Sequence, residues 1–559
     1  MSEASHAFGK SRNTSYLLIF FSTVMMCLGS ANAAEPELKL NPNSLDLLRH
    51  ELGFERARQK IQGHLYAPDA KQRKLRVAVL DKGFRDWESR RGLSLPKRTR
   101  YIQGPIKALN ASTHGTLMAE ILTSLVVGAE WQNPNYQQVP FDLYLINVAG
   151  FSNFKAAVQT VITEKVDIVL YSEVWELGGN GDGKGFINAE VSKAVDAGVI
   201  WVNAAGNFNG RTYDSEIYVG DDNLVELPDA NNALKVVCDP PRGESECTLK
   251  ATLTWNAFSE DSNKGTAKDL DLGLFDENLK PVTIARLKQV DIDGEAPAGE
   301  SKYPREALGA SVKKGDYYLR VRTKQRKWTA EDRLRILVDG DSITVPSGSK
   351  TESLQNPADH AKVITVGGSD AVRSSVSKAL RKPELTVRTS VLEKLGKEFR
   401  GSSNGAAIVA AGLVLLKYEN RDLGRDQLLA KVSGGVMKSG EASWGWQQLN
   451  LMPPPGCLQA LDKKTGIAQI DRVLKNGGRW VETPLGPKIL VQGPVTDIAP
   501  GISMNSPQES LWVGDRGYLV LPRGQWTRDL SSSVEVLQRP QGTSLCHESG
   551  SLRAFRLIE

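Results

Sequence analysis

From residue 73 onward the chain alternates short, nearly unbroken apolar runs with stretches whose apolar positions recur at helical spacing. The first run, Leu75-Arg76-Val77-Ala78-Val79-Leu80 within 73–80, stops abruptly at Asp81-Lys82-Gly83. The runs 141–148, 166–171 and 199–204 follow, with helical patterns between them at 155–164 and 186–197. Continuous apolar strands alternating with amphipathic helices predict a parallel sheet buried on both faces. Near residue 210 the helical spacing disappears. Short alternating segments replace it at 248–255, 271–275, 317–322 and 334–338, separated by Gly- and Asp-rich turns. That pattern predicts a β-sandwich. The parallel-sheet pattern resumes at 361–368, and a long helix of small apolar residues follows over 404–419. An α/β fold interrupted by an inserted all-β domain accounts for this order. Strand patterns at 489–491 and 518–521 add a small β-rich C-terminal domain.

The start of the chain is different. Lys10 and Arg12 precede an apolar run from Tyr16 to Leu28, which exits through Gly29-Ser30-Ala31-Asn32-Ala33. A basic flank, a short apolar core and small residues predict a signal peptide cut after Ala33. The run falls short of the ~20 residues that span a bilayer. The expected organisation is therefore a leader over 1–33 and an N-terminal helical segment over 34–70, centred on 45–62, that would serve as a short pro-region. An α/β first part follows over 71–211, then the inserted β-sandwich over 212–350, an α/β second part over 351–477 and the C-terminal domain over 478–559. Export, to the periplasm or the medium, follows from the leader, and no stable membrane span is expected once it is removed.

Composition narrows the partners. Lys plus Arg number 70 against 65 Asp plus Glu, a net charge of +5 spread over 559 residues without a basic block. Such a balance does not predict nucleic-acid binding. Loss of the leader removes one of five cysteines, Cys27. The remaining four allow three pairings, and Cys238 with Cys247 and Cys457 with Cys546 keeps each pair within one expected domain.

Only six histidines offer acid–base chemistry. His114 stands out, because Ser112-Thr113-His114-Gly115-Thr116 puts it at the start of a helical pattern. Its imidazole edge would be exposed there, with a glycine permitting close approach. Asp81, at the carboxyl end of the first strand, lies where sites form in open α/β sheets. It is placed to fix the tautomer of a histidine. Ser403, in Arg400-Gly401-Ser402-Ser403-Asn404-Gly405, opens the small-residue helix. A hydroxyl at such an entrance suits a nucleophile, and its amide would face a developing oxyanion. Asn207 closes a strand in Ala204-Ala205-Gly206-Asn207 and supplies a second donor.

In order and context, Asp81, His114-Gly115-Thr116, Ala204-Ala205-Gly206-Asn207 and Gly401-Ser402-Ser403 resemble the subtilisin-like serine proteases, the subtilases. Val77–Gly83, Val363–Gly367 and Lys382–Leu385 are similar too, and the resemblance covers roughly 75–210 and 355–475. It implies a subtilisin-like parallel sheet with helices on both faces. It also implies a serine endopeptidase acting through Asp81, His114 and Ser403, with Asn207 and the Ser403 amide as the oxyanion hole. Protein or peptide substrates would lie along Ser172, Gly178 and Gly179 as an added strand. The family departs here at Lys82, usually Ser or Thr, at Ser402, usually Thr, and in the proline missing from Asn404-Gly405-Ala406-Ala407-Ile408. The insertion resembles β-sandwich modules attached to secreted bacterial proteases. No cofactor is required; the family often uses calcium, for which 179–183 and Asp221-Asp222 are the available acidic turns. Their spacing is not that of an EF-hand, and ordinary solvated turns explain them better. The alternative reading is a catalytically impaired, protease-like binding protein that uses its β modules for recognition. An esterase is not expected, since no Gly-x-Ser-x-Gly elbow sits in strand–turn–helix context.

Overall fold

The computed structural model describes residues 38–432 apart from 56, 59–60, 62–73, 109, 129–140 and 326, together with strand segments between 447 and 520. The expected leader, Cys457, Cys546 and the end of the chain lie outside the described residues.

An eight-stranded sheet forms the centre. Its strands in chain order are β1 (Leu75–Asp81), β2 (Arg100–Ile102), β3 (Phe141–Asn147), β4 (Ile168–Tyr171), β5 (Ile200–Ala204), β6 (Ile364–Gly368), β7 (Leu385–Val387) and β8 (Gln447–Gln448). They lie in the order β8-β7-β6-β5-β4-β1-β3-β2, and every pairing is parallel. Period-two alternation sorts each strand between two cores. Leu75, Val77 and Val79 of β1 pack with helices α1 (Pro42–Leu52), α2 (His114–Val127) and, after the insertion, α5 (Ser402–Glu419). Ala78 and Leu80 face the other side, against Phe154, Val158 and Val161 of α3 (Phe151–Thr163) and Ile187 and Val191 of α4 (Phe186–Asp196). Each Val, Leu, Ile or Phe among them contributes about 1.5–3 kcal/mol by leaving water, and the two layers hold the strands between them.

Expected and observed elements agree in kind and differ at their ends. α3 starts at Phe151, earlier than the apolar spacing alone suggests, directly after Gly150 at φ 87°. β2 was not expected; Arg100-Tyr101-Ile102 is too short and polar to read as a strand, and it pairs at the sheet edge beside β3. α1 starts at Pro42, with Asn41 as its cap: the Asn41 Oδ1 accepts the Ser44 amide at 3.1 Å. Proline suits the first helical position, where its missing N–H costs nothing.

The N-terminal helical segment is built into the main core. Leu45, Leu48, Leu52 and Phe54 are buried in the same cluster as α2 and α5. Just before α1, Lys39–Leu40 pairs with Leu392–Lys394, whose hairpin partner Lys397–Phe399 leads straight into α5.

The chain leaves the central sheet after β5 and returns at β6, its hydrogen-bonded neighbour. Between them lie two antiparallel sheets. One contains strands 212–216, 246–255, 305–313 and 333–339; the other contains 234–238, 271–275, 281–285, 315–322 and 343–344. Their facing sides share one core around Trp255, Leu253, Leu272 and Ile336. The disulfide Cys238–Cys247 joins a strand of each sheet, with Cα atoms 5.9 Å apart. Further along, Arg479–Thr483, Gly486–Gln492, Ser510–Trp512 and Gly517–Val520 form a four-stranded antiparallel sheet. Among the described residues no helix is long and apolar enough to cross a membrane.

Candidate active site

The carboxyl end of β1 delivers Asp81 into a buried position, 1% exposed. Its Oδ1 accepts the Gly83 amide at 3.1 Å, and its Oδ2 lies 2.6 Å from the His114 Nδ1. Glycines make this approach possible. A Cβ on Gly115 would fall 2.6 Å from the Asp81 Cβ and 2.7 Å from the Gly83 carbonyl oxygen. One on Gly83 would fall 2.6 Å from the Ser112 Cβ. The first turn of α2 therefore rests directly on the β1 turn. The Gly115 amide donates to the Gly83 carbonyl and the His114 amide to the Ser112 hydroxyl.

Ser403 lies in the first turn of α5, where backbone amides have no intrahelical acceptor. The Asn207 Oδ1 accepts the Ser402 amide at 3.1 Å, and the Ser402 hydroxyl accepts the Gly206 amide at 3.0 Å. These two bonds tie the end of β5 to the start of α5. Asn404, 1% exposed, donates to the carbonyls of Thr389 (2.8 Å) and Phe399 (3.0 Å). Side-chain amides thus secure a helix entrance that has no proline. Gly405 allows α5 to press on the sheet; a Cβ there would come within 3.2 Å of the Gly367 carbonyl.

The Ser403 hydroxyl donates to the Ser172 carbonyl at 2.9 Å. Among the described residues no hydrogen bond joins Ser403 to His114. Ser172 itself is buried at the end of β4. Gly178 and Gly179 are also buried: Gly178 packs on Ile187 and Trp175, and Gly179 on the Asn356 side chain. The Trp175 amide between them and Ser172 donates to the Asn356 carbonyl at 2.6 Å. The chain's own return segment therefore pairs with this stretch.

Two groups next to these residues have a pairing that the sequence does not show. Glu173 follows Ser172, and its Oε2 meets the Lys82 Nζ at 2.6 Å. Asp81, His114 and Glu173 place ligand-capable atoms within 4.8 Å of one another, the one such trio among the described residues. Their signal in the sequence was positional: each sits one residue past a named site residue, at the ends of strands that prove to be neighbours. Glu176 is likewise paired, with Lys250. The acidic turns also have internal work. Asp182 accepts the Lys184 amide, Asp222 the Leu224 amide, and the Gly183 amide donates to Asp359.

Electrostatics follow from these contacts. Burial opposes charge on His114, but the Asp81 charge and hydrogen bond, with the Glu173 charge, outweigh it and push the imidazole up to about 9. Burial raises the Glu173 carboxyl, helped by repulsion from Asp81 and opposed by Lys82 and His114. Burial works against the Lys82 ammonium, yet Glu173 beside it carries the group above its usual value.

No family model matches the sequence, and no curated protein does. Solved structures that it is similar to include the Clostridium perfringens CspB protease, at 15% identity over 72% of this chain and 97% of that one, with a TM-score of 0.44. A cold adapted subtilisin-like serine proteinase is similar at 13% identity over 68% and 88%, with a TM-score of 0.31.

Proposed function

We propose that the chain is an exported, subtilisin-like serine endopeptidase that cleaves peptide bonds through Asp81, His114 and Ser403. The observation that carries the reading is the 2.6 Å contact of Asp81 Oδ2 with His114 Nδ1 at the carboxyl end of a parallel sheet. Ser403 stands at a helix start tied to the same strand ends through Ser172 and Asn207. In the reaction the Ser403 hydroxyl turns from the Ser172 carbonyl and attacks the peptide carbonyl carbon. His114 takes its proton and passes it to the leaving amine, while Asp81 holds the imidazole by Nδ1 and stabilises its charge. The Ser403 amide and the Asn207 Nδ2 receive the oxyanion. Water then releases the acyl group from Ser403.

The second reading, an impaired protease-like binding protein, is favoured by one observation: the Ser403 hydroxyl is engaged by Ser172. Intact mass before and after a fluorophosphonate probe separates the two. A single adduct at pH 9, lost in Ser403→Ala, is the expected outcome. Folded protein that takes up no probe at any pH from 6 to 10 would reject the peptidase.

A further inference from the structure

Strands β1 and β4 are neighbours in parallel register, with Leu80 opposite Tyr171. The residues that follow this pair leave the sheet side by side. Asp81 and Ser172 come first, one on the imidazole and the other on the Ser403 hydroxyl. Lys82 and Glu173 come next and close on each other as an ion pair. The Asn203 side chain donates to the Glu173 carbonyl at 3.1 Å, which fixes the backbone at that point.

We propose that Glu173 is a positioning residue for the acyl-transfer reaction: held by Lys82, it sets a second carboxylate beside His114 and fixes the pH above which the imidazole serves as a base. The inference rests on the reading of Asp81, His114 and Ser403 as a triad. A histidine among two carboxylates is stabilised as the imidazolium, whose two nitrogens both donate. Such a ring has no lone pair to receive the Ser403 proton, and that hydroxyl instead donates to the Ser172 carbonyl. Raising the pH removes the imidazolium proton and opens Nε2 as the acceptor. The resting site is therefore latched by charge and released by alkali.

The charged groups about the ring come from two strand ends: Asp81 at the end of β1 with Lys82 after it, and Glu173 after β4. Tyr171 in β4 stays neutral, its hydroxyl held well above its usual value by burial and by Glu173 and Asp81. The first turn of α2 carries no acidic residue, and that of α5 begins Ser402, Ser403, Asn404. Lys82 acts against the two carboxylates, so Lys82 and Glu173 set the midpoint in opposite senses.

The test is the rate constant of fluorophosphonate labelling on the full mature chain, followed from pH 6 to 11. The wild-type acidic limb is expected at about 9. Glu173→Gln should move it down by about one unit, and Lys82→Met should move it up. A merely structural role lowers rates without moving the two midpoints apart. Unchanged midpoints, or shifts in the same direction, overturn the proposal. Lys82 is 53% exposed, so Lys82→Met keeps the test available if Glu173→Gln does not fold. If folded wild-type protein never labels, the peptidase reading fails by itself. The His114 midpoint, read from ¹⁵N-histidine spectra of the same variants, then still decides the role of Glu173: opposite shifts support it and unmoved midpoints refute it.

Discussion

At the carboxyl ends of β1 and β4, His114 lies beside Asp81 and Glu173, while His360, in the turn before β6, lies in the field of Lys382 and Lys362. Both rings lose water, which by itself disfavours charge. At His114 the neighbouring carboxylates overcome that loss and carry the ring up to about 9. At His360 burial comes first, the two lysines add to it, and the ring is pushed down to about 4. Hydrogen bonds agree with these signs. The His360 Nδ1 accepts the Lys362 amide at 3.1 Å, which leaves Nε2 to donate to the Ser192 hydroxyl at 2.9 Å, the pattern of a neutral ring. One side chain type is thus held charged in one place and neutral in the other: carboxylates overcome burial at the first, and lysines reinforce it at the second.

The sharpest way to break this contrast is Asp81→Asn. It keeps the shape of the site but removes the charge, and hydrolysis measured at pH 9 should fall by about 10⁴-fold. A loss under tenfold would mean that Asp81 does not act through His114. Next is Gly115→Ala, whose added Cβ has no room against Asp81. A displacement of about 1 Å in the first turn of α2 should cost about 10² in kcat/KM while leaving His360 unaffected. A third prediction uses stability. The His114 pKa is raised, so its contribution is complete below the unfolded value near 6.5 and is lost as the pH rises through about 9. The His360 pKa is lowered, so its contribution is complete above ~6.5 and is lost as the pH falls through about 4. Urea midpoints should therefore peak near neutrality, each limb falling by at most about 1.4 kcal/mol per pH unit and per histidine. In Asp81→Asn the alkaline fall should flatten; a fall as steep as in the wild type would assign it elsewhere. The smallest effect is Lys362→Ala, which should raise the His360 midpoint by less than about one unit without altering hydrolysis.

Much of this was legible in the residues. Apolar runs such as Leu75–Leu80 and the short motifs around His114 and Ser403 show the strands, the helices and the turns between them, because local patterning and local glycine chemistry act over a few positions. What escaped is set by register. That Lys82 would meet Glu173 depends on β4 lying next to β1, a neighbourhood no local pattern encodes. The same holds for Asn404: it reads as an ordinary residue in a helix entrance and becomes a clamp because Thr389 and Phe399 turn their carbonyls toward it. The N-terminal helical segment looked separable because its flanks are polar, whereas Leu45, Leu48 and Phe54 complete the core over α2. Leu48→Ala should accordingly destabilise the whole α/β unit by about 2–5 kcal/mol, which urea unfolding measures.

The splice between β5 and β6 also bears on the order of events during synthesis. Asp81, His114 and Asn207 leave the ribosome early, and Ser403 only after the two antiparallel sheets have been made. β6 has to find β5 across that whole excursion, a long-range closure that is slow by its nature. Until it happens the early half of the molecule carries the Asp81–His114 contact without Ser403 beside it. On the proposed reading, hydrolytic chemistry is thereby postponed until the inserted sheets have been made and β6 has joined β5.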